Sequence, residues 1–557
     1  MNKQKFIECL LGSHIELMKV TEAENPSVVF QAKLDCTEKF PGFYRHTFAV
    51  HSTSKKVKLS KMIEEKVYIK HKKHEIEGKI IFSYENKLTV VSKHDLDGDS
   101  LVSIVSHANH INEILLKDLQ AFINSSKVIH PCIFENYKES VIGDSFNFLK
   151  EDLSDKTDQR LDFFNSNLND NQKMAVIYSI YSNDPFKILG PPGTGKTETI
   201  VEIICQFLKQ KMTVIVCGPS NISVDNIINR FIPSKYNLEK PTNFYRLGSS
   251  IKGLTHFNLE NMANKAVDFM EKEENEKNFY REKYQRKQEF IRNFKSQTPL
   301  VFSTLFSSLK ENFFFDLCIV DEACQATQVE CFMGIVKAKK FILVGDPNQL
   351  CPNTSSLYEH LDIPTAVLNV QYRMPFELMA FSNNHFYKNL IVSSKTDDFS
   401  FFSESKILFI DTSHFNFQEE ESSLSRMNHG EAMIIKDVVE WIGKDKDIGV
   451  IAPYSAQVLL LRDIVNCNVE TVDGFQGQEK DFIILSMVRS NDDWEVGFLR
   501  DRKRINVAIT RCRKGLVVVG DASNFVKDPF LKSFFRFLES NSFVTDPETF
   551  KMLIEAC

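Results

Sequence analysis

Gly190-Pro191-Pro192-Gly193-Thr194-Gly195-Lys196-Thr197 has the spacing G-x-x-x-x-G-K-[ST]. Glycines without Cβ let successive backbone N–H groups turn inward on phosphate oxygens. A helix that starts there aims its positive end at the same point. Lys196 is placed to reach the terminal phosphates of a nucleoside triphosphate, and the Thr197 hydroxyl to ligate Mg²⁺. Further on, Leu317-Cys318-Ile319-Val320 runs into Asp321-Glu322. An acid at the carboxyl end of a parallel strand faces the ligand crevice. Asp321 is suited to hold Mg²⁺, and Glu322 to orient and deprotonate an attacking water. Phe341-Ile342-Leu343-Val344 ends in Gly345-Asp346-Pro347-Asn348-Gln349, where an amide can sense the terminal phosphate. Arg373 and Arg511 offer guanidinium groups that stabilise charge in phosphoryl transfer, unless they serve surface ion pairs.

These residues need elements to hold them. Phe186-Lys187-Ile188-Leu189 reads as a short buried strand before the loop. Ile200, Ile203, Ile204, Phe207 and Leu208 recur at helical spacing after it. From Asp184 onward strands and helices alternate, which implies an α/β protein with parallel sheets covered by helices. A second alternating block starts near Thr365, with strands at Ile448–Ala452, Phe482–Leu485 and Leu516–Val519. The polar, charge-mixed run around 255–297 reads as a solvated helical insert. Residues 1 to about 24 form an amphipathic helix. From Val28 to about Val91 short strands follow, reading as a small β-barrel or sheet, and helical spacing returns over about 107–122. The division expected is 1–125, 126–364 and 365–557.

A chain of 557 residues exceeds what one core usually supports. A net charge of −6 excludes a uniformly basic coat for nucleic acid but not a basic groove on an acidic body. Lys55, Lys56, Lys58, Lys61, Lys66, Lys70, Lys72, Lys73 and Lys79 crowd one stretch, with Tyr68 and Tyr84 beside it. They either guard a strand edge or grip a single strand. Twelve cysteines without a C-x-x-C read as core residues of a reducing compartment. With no apolar run of membrane-spanning length and no signal-peptide core, the protein is expected in the nucleus or cytoplasm, without a membrane partner.

Taken in order, Gly-Pro-Pro-Gly-Thr-Gly-Lys-Thr, Asp-Glu-Ala at 321–323, Gly-Asp-Pro-x-Gln-Leu at 345–350, Gln-Tyr-Arg-Met at 371–374, Val-Asp-Gly-Phe-Gln-Gly-x-Glu-Lys-Asp at 472–481 and Val-Ala-x-Thr-Arg-x-Arg at 507–513 resemble superfamily 1 helicases of the up-frameshift type. Cys217–Asn226, Val488–Asn491 and Glu495–Leu499 point to the branch of the immunoglobulin-mu-binding-protein and DNA polymerase alpha-associated helicases. The likeness covers about 165–540. It implies two tandem RecA-like P-loop domains, an N-terminal β-barrel on a helical stalk, and ATP with Mg²⁺ as cofactors. Asp321 and Thr197 would hold the metal. Gln172 would recognise adenine with Tyr372 stacking on the base. Gly190, Pro191, Pro192, Gly193, Thr194, Gly195, Lys196, Thr197 and Glu198 would line the nucleotide, Gln349 would contact the γ-phosphate, and Arg373 and Arg511 would be arginine fingers. Glu479 would touch the ribose, and Gly477 would close on the nucleotide. Pro219, Ser220, Asn221, Ser303, Thr304, Pro453, Tyr454, Thr471 and Val472 would line a track for single-stranded DNA or RNA. Against the family pattern, the stretch from Gln349 to Gln371 is short, and no Cys/His-rich regulatory module is visible.

The expected activity is therefore that of a monomeric ATP-dependent helicase or translocase, moving 5′ to 3′. A remodeller of RNA–protein complexes and an ATP-gated clamp that does not turn over are the alternatives. The DNA-or-RNA choice is open, since phosphate grip and base stacking tolerate both.

Overall fold

Aliphatic runs that end in glycine or an acid suit parallel sheets, whose strands are covered on both faces and so lack polar alternation. The computed structural model describes residues 3–24, six strand segments between 29 and 106, isolated positions from 115 to 140, and 161–556 apart from 233–242, 250–252, 269–275, 310, 353–354, 423–424 and 444. It divides into two compact units, Met1–Glu135 with Thr327–Val329, and the remainder.

In the first unit a helix, Lys3–Glu24, precedes six strands: β1 (Val29–Phe40), β2 (Phe43–Thr53), β3 (Lys66–His71), β4 (His74–Tyr84), β5 (Lys87–Ser92) and β6 (Leu101–Ser106). Neighbours pair antiparallel, and β1 bonds to both β2 and β6. The last strand lies beyond the stretch in which strands were expected. The helix expected over 107–122 falls largely outside the described residues, as do Lys72, Lys73 and the side chains of the other singled-out lysines.

In the second unit, β7 (Phe186–Leu189), β8 (Val214–Gly218), β9 (Phe244–Leu247), β10 (Leu300–Thr304), β11 (Phe315–Val320), β12 (Ala338–Gly345) and β13 (Thr365–Val367) form one parallel sheet in the order β13-β7-β12-β11-β8-β10-β9. The boundary expected before Thr365 therefore needs correction: Thr365–Val367 pairs with β7 and belongs to the first sheet. Three residues are too few for a period, so their allegiance could not be read locally. The connection from Gln349 to Gln371 also holds a short helix, Leu357–His360. Two helices, Leu259–Val267 and Glu276–Gln297, lie between β9 and β10.

Two small pairs follow, β14 (Val370–Gln371) with β15 (Val392–Ser393), and β17 (Glu420–Ser422) with β18 (Ser425–Met427). Around them, β16 (Ile407–Asp411), β19 (Ile448–Ala452), β20 (Asn468–Thr471), β21 (Lys480–Ser486), β22 (Cys512–Gly520) and β23 (Phe543–Thr545) build a second parallel sheet in the order β20-β19-β21-β22-β16-β23. Each sheet has its own apolar core; Ile188, Val216 and Ile319 lie in one, and Phe409, Ile483 and Val518 in the other. Cys205, Cys217, Cys318, Cys324, Cys331 and Cys512 are buried thiols. Among the described residues no helix is long and apolar enough to cross a membrane.

Candidate active site

Strands β7, β12 and β11 are neighbours, so Gly190, Asp346 and Asp321 emerge side by side at one carboxyl edge. The Gly190 N–H donates to the Gly345 carbonyl at 3.0 Å. Gly193 and Gly195 have φ of +73° and +78°, a backbone conformation that glycine adopts without steric penalty. Space excludes side chains there as well. A Cβ on Gly193 would lie 2.6 Å from Arg373 Cβ, and one on Gly195 would lie 2.4 Å from Gln172 Nε2. Pro191 and Pro192 are buried in the loop, and the Thr194 hydroxyl donates to the Pro191 carbonyl at 2.8 Å. Lys196 Nζ donates to the Gly190 carbonyl at 2.7 Å and stands 4.0 Å from Glu322 Oε1. Thr197 occupies the first turn of the helix Lys196–Lys209. Glu198, expected at the nucleotide, is paired with Arg230.

Asp321 is buried, and its Oδ1 accepts from the Glu322 N–H at 2.9 Å. Burial, then the charge of Glu322, pushes its carboxyl up to about 7 against the pull of Lys196. Glu322 has φ +51°, a left-handed backbone that costs a non-glycine residue about 1–3 kcal/mol and is typical of functional strand ends. Gln325 Nε2 steadies Glu322 Oε2 at 2.9 Å.

Gln349 Nε2 donates to Asp346 Oδ2 at 2.7 Å, and the Tyr387 hydroxyl donates to the same oxygen at 2.7 Å. Asn506 Nδ2 donates to the Tyr387 oxygen at 3.1 Å and to the Asn348 carbonyl at 2.7 Å. Burial raises the Asp346 carboxyl, while Lys196, Gln349 and Tyr387 oppose that rise. Tyr387 and Asn506 thus tie the Gly-Asp-Pro loop of the first sheet to helices packed on the second. Sequence reading gave Tyr387 no part. A buried tyrosine hydroxyl needs a partner, but which one is a matter of tertiary contact.

The arginine segment docks on the phosphate loop: the Tyr372 N–H donates to the Gly193 carbonyl at 2.9 Å. Arg373 Nε donates to Glu479 Oε2 at 2.7 Å and its Nη1 to the Thr510 carbonyl at 2.8 Å. Arg511 is 2% exposed, its Nε donating to the Val507 carbonyl at 2.9 Å. Burial and the like charge of Arg373 hold its pKa well below the usual guanidinium range. Glu479, expected at the ribose, is held by Arg373 and by Arg513 at 3.4 Å. Burial acts to raise its carboxyl, but Arg373, Arg513 and Arg511 bring it below the ordinary value. Gly477 has φ +78°, and a Cβ there would lie 3.9 Å from Asn226 Nδ2 on the first sheet's side. Gln172 is buried; its Oε1 accepts from the Asn169 N–H and its Nε2 donates to the Thr194 carbonyl, each at 3.0 Å. Tyr372 is 44% exposed, its hydroxyl accepting from Asn169 Nδ2 at 2.8 Å.

The expected track residues come together in two groups. Pro219, Ser220 and Asn221 follow β8, Ser303 and Thr304 close the adjacent β10, and Thr304 pairs with Gly218. Pro453 and Tyr454 follow β19, beside Thr471 and Val472 at the end of β20. Ser220 caps the helix Asn221–Phe231, and Thr304 caps the next short helix. Three side chains depart from a surface role: Ser303 and Tyr454 are buried and Val472 belongs to the apolar core. Sequence reading missed Arg246. It is fully buried, ion-paired with Asp225 at 3.0 Å, and donates to Asn221 Oδ1 at 2.8 Å, fixing the turn after β8. An arginine inside the apolar strand Phe244–Leu247 was the available signal.

A phosphate-binding loop, a strand-end acid pair and arginines from beside a second parallel sheet define a P-loop nucleotide site. Profiles of the family described as AAA domain match residues 167–268, 255–357 and 354–523. The DNA polymerase alpha-associated DNA helicase A of Schizosaccharomyces pombe is 33% identical over 85% of this chain and 81% of its own length. Its Saccharomyces cerevisiae namesake is 32% identical over 69% and 70%. The DNA-binding protein SMUBP-2 of Rattus norvegicus is 32% identical over 67% of this chain and 45% of its own. The chain belongs to the Upf1-like helicases of superfamily 1, and it is an ATP-hydrolysing helicase.

Proposed function

We propose that the chain is a translocase on single-stranded nucleic acid that moves 5′ to 3′ as a monomer inside the nucleus or cytoplasm. The observation that carries this reading is the apposition of Arg373 to Gly193, where the arginine's Cβ and main chain abut the phosphate loop, so that the segment bearing this guanidinium borders the triphosphate site. In this reading Lys196, Gly190, Gly193 and Gly195 bind the triphosphate of ATP, and Glu322 takes the proton of the attacking water. Gln349 senses the γ-phosphate, and Arg373 and Arg511 stabilise charge as the bond breaks. The donor set fits Mg²⁺: a helix-start hydroxyl, Thr197, and a desolvated carboxylate, Asp321, that gains from a cation. The ion would neutralise charge on the phosphate oxygens. Gln172 and Tyr372 frame the base. Pro219, Ser220, Asn221 and Thr304 on one sheet and Pro453 and Thr471 on the other grip successive phosphates, so that closing and opening the cleft advances the strand.

The two sheets are RecA-like domains, the helices over 255–297 an insert, and the N-terminal strands a small closed barrel that adds grip. The names of the yeast relatives favour DNA. The test is ATP turnover with single-stranded DNA, single-stranded RNA, and duplexes bearing a 5′ or 3′ overhang. Stimulation by single strands with unwinding from the 5′ overhang is expected. Stimulation without unwinding would favour a remodeller of nucleic acid–protein complexes, and binding without turnover a clamp.

A further inference from the structure

Phe498 is 53% exposed although large aromatic side chains normally pack inside. The backbone beneath it is held firmly. Gly497 has φ +54°, and a Cβ there would lie 2.2 Å from both the Tyr454 hydroxyl and Arg489 Nη1. Only glycine lets this turn, Gly497–Arg500, press onto Tyr454. The Phe498 N–H donates to the Tyr454 oxygen at 3.2 Å, and Arg489 Nη1 donates to it at 3.1 Å. Arg489 is itself buried and ion-paired with Glu419 at 2.7 Å. A buried polar scaffold thus fixes the main chain of a residue whose ring is left in solvent.

The ring's neighbours point to one kind of ligand. The Arg504 guanidinium lies 5.3 Å from its centroid. Arg504 is anchored by Asp473 at 3.4 Å, two residues past Thr471. The Tyr454 and Phe498 rings are 5.3 Å apart, and Tyr454 follows β19 beside the strand that ends in Thr471. An exposed aromatic ring with a guanidinium over it is a pairing that can take an unpaired base and its phosphate.

We propose that Phe498 is a stacking platform for one base of the single strand, with Arg504 against the adjoining phosphate. This rests on the single-strand reading above and adds a base-contacting residue to a track otherwise made of phosphate contacts. The occupant is a nucleobase: the patch is one ring flanked by a cation and continuous with the strand ends, not a broad apolar face.

The test compares Phe498→Ala and Phe498→Trp in the full chain. Each is titrated against labelled oligothymidylate and against an abasic strand of equal length. A stacked base contributes enough that its loss should weaken oligothymidylate binding about 5- to 150-fold. Phe498→Ala should lose that much on oligothymidylate while its abasic-strand affinity matches wild type, and Phe498→Trp should retain the preference for bases. Equal affinity of Phe498→Ala and wild type for oligothymidylate would overturn the proposal. So would an equal loss on both strands, which would mark a backbone effect. If wild type binds neither strand, the single-strand reading itself fails, a result distinct from either.

Discussion

Lys196 and Arg373 face the same cleft, but the chain delivers them in different ways. Lys196 follows the last glycine of its loop, and its amine bonds within that loop, to the Gly190 carbonyl. Arg373 depends on two distant segments, Glu479 and the Thr510 carbonyl, for its direction. Arg511 is further removed, bonded back to the helix that precedes it and buried. One wall of the site is therefore preformed by local backbone, and the other is assembled by tertiary contacts. A wall held by contacts between distant segments is easier to change than one fixed within a single loop.

The sharpest way to break this contrast is to disable one wall at a time. Arg373→Lys keeps the charge but loses the forked geometry. It should lower kcat by ~10³–10⁵, the range for arginine fingers, with KM for ATP less affected. Steady-state kinetics decide it: a collapse in ATP affinity with kcat intact would make the second wall a ground-state binder like the first. On the preformed wall, Glu322→Gln preserves shape and removes the proton acceptor. Turnover should fall by ~10²–10⁴ while a fluorescent ATP analogue binds normally. Near-normal turnover would assign the base elsewhere.

A third test cuts the link between the walls. Tyr387→Phe removes the hydroxyl that joins Asp346 to Asn506, so each of these buried groups loses one of its hydrogen bonds. Urea unfolding should show a loss of about 1–3 kcal/mol. If the link also sets Gln349, kcat should fall less than for Glu322→Gln, with KM for ATP shifting alongside it. An unchanged unfolding curve would mean that the two sheets are not tied at this point.

The same contrast explains what could be read from sequence. The strands Phe186–Leu189 and Phe341–Val344, and the acid pair after Leu317–Val320, were legible because parallel strands are apolar runs closed by chemistry-bearing residues. Residues Thr365–Val367 were placed in the second block although they pair with β7, because three residues carry no period. The partners of Glu198 and Glu479 were not legible either, since Arg230, Arg373 and Arg513 reach them only in the fold. Tyr454 and Val472 show a limit of another kind. Both lie just past strands of the second sheet, but whether a side chain at a strand end turns out or in depends on the next loop. At Tyr454 that loop is Gly497–Arg500, whose close approach needs a glycine that sequence alone does not pair with it.

The last test separates the two sheets by pH. Glu431 starts the helix His429–Ile442 under the second sheet, and its Oε2 accepts from Ser486 Oγ at 2.6 Å and the Val488 N–H at 2.9 Å. Burial dominates these bonds and raises its carboxyl from 4.5 to about 8. The folded state therefore holds this proton more tightly than the unfolded chain does. The stabilisation is full below the unfolded pKa and is lost as pH rises through about 8, at no more than about 1.4 kcal/mol per pH unit. Asp321, raised to about 7, adds a similar decline on the first wall, ending lower in pH. Glu431→Gln cannot titrate, so its stability should fall less steeply between pH ~5 and ~8 than that of wild type, as read from urea midpoints. Adding Mg²⁺ with a non-hydrolysable ATP analogue should then offset the share that belongs to Asp321, because the cation favours the ionised carboxylate, and leave the share of Glu431 in place. If the glutamine variant keeps the full wild-type slope, Glu431 is ionised in the fold, and the pH response belongs to the nucleotide wall alone.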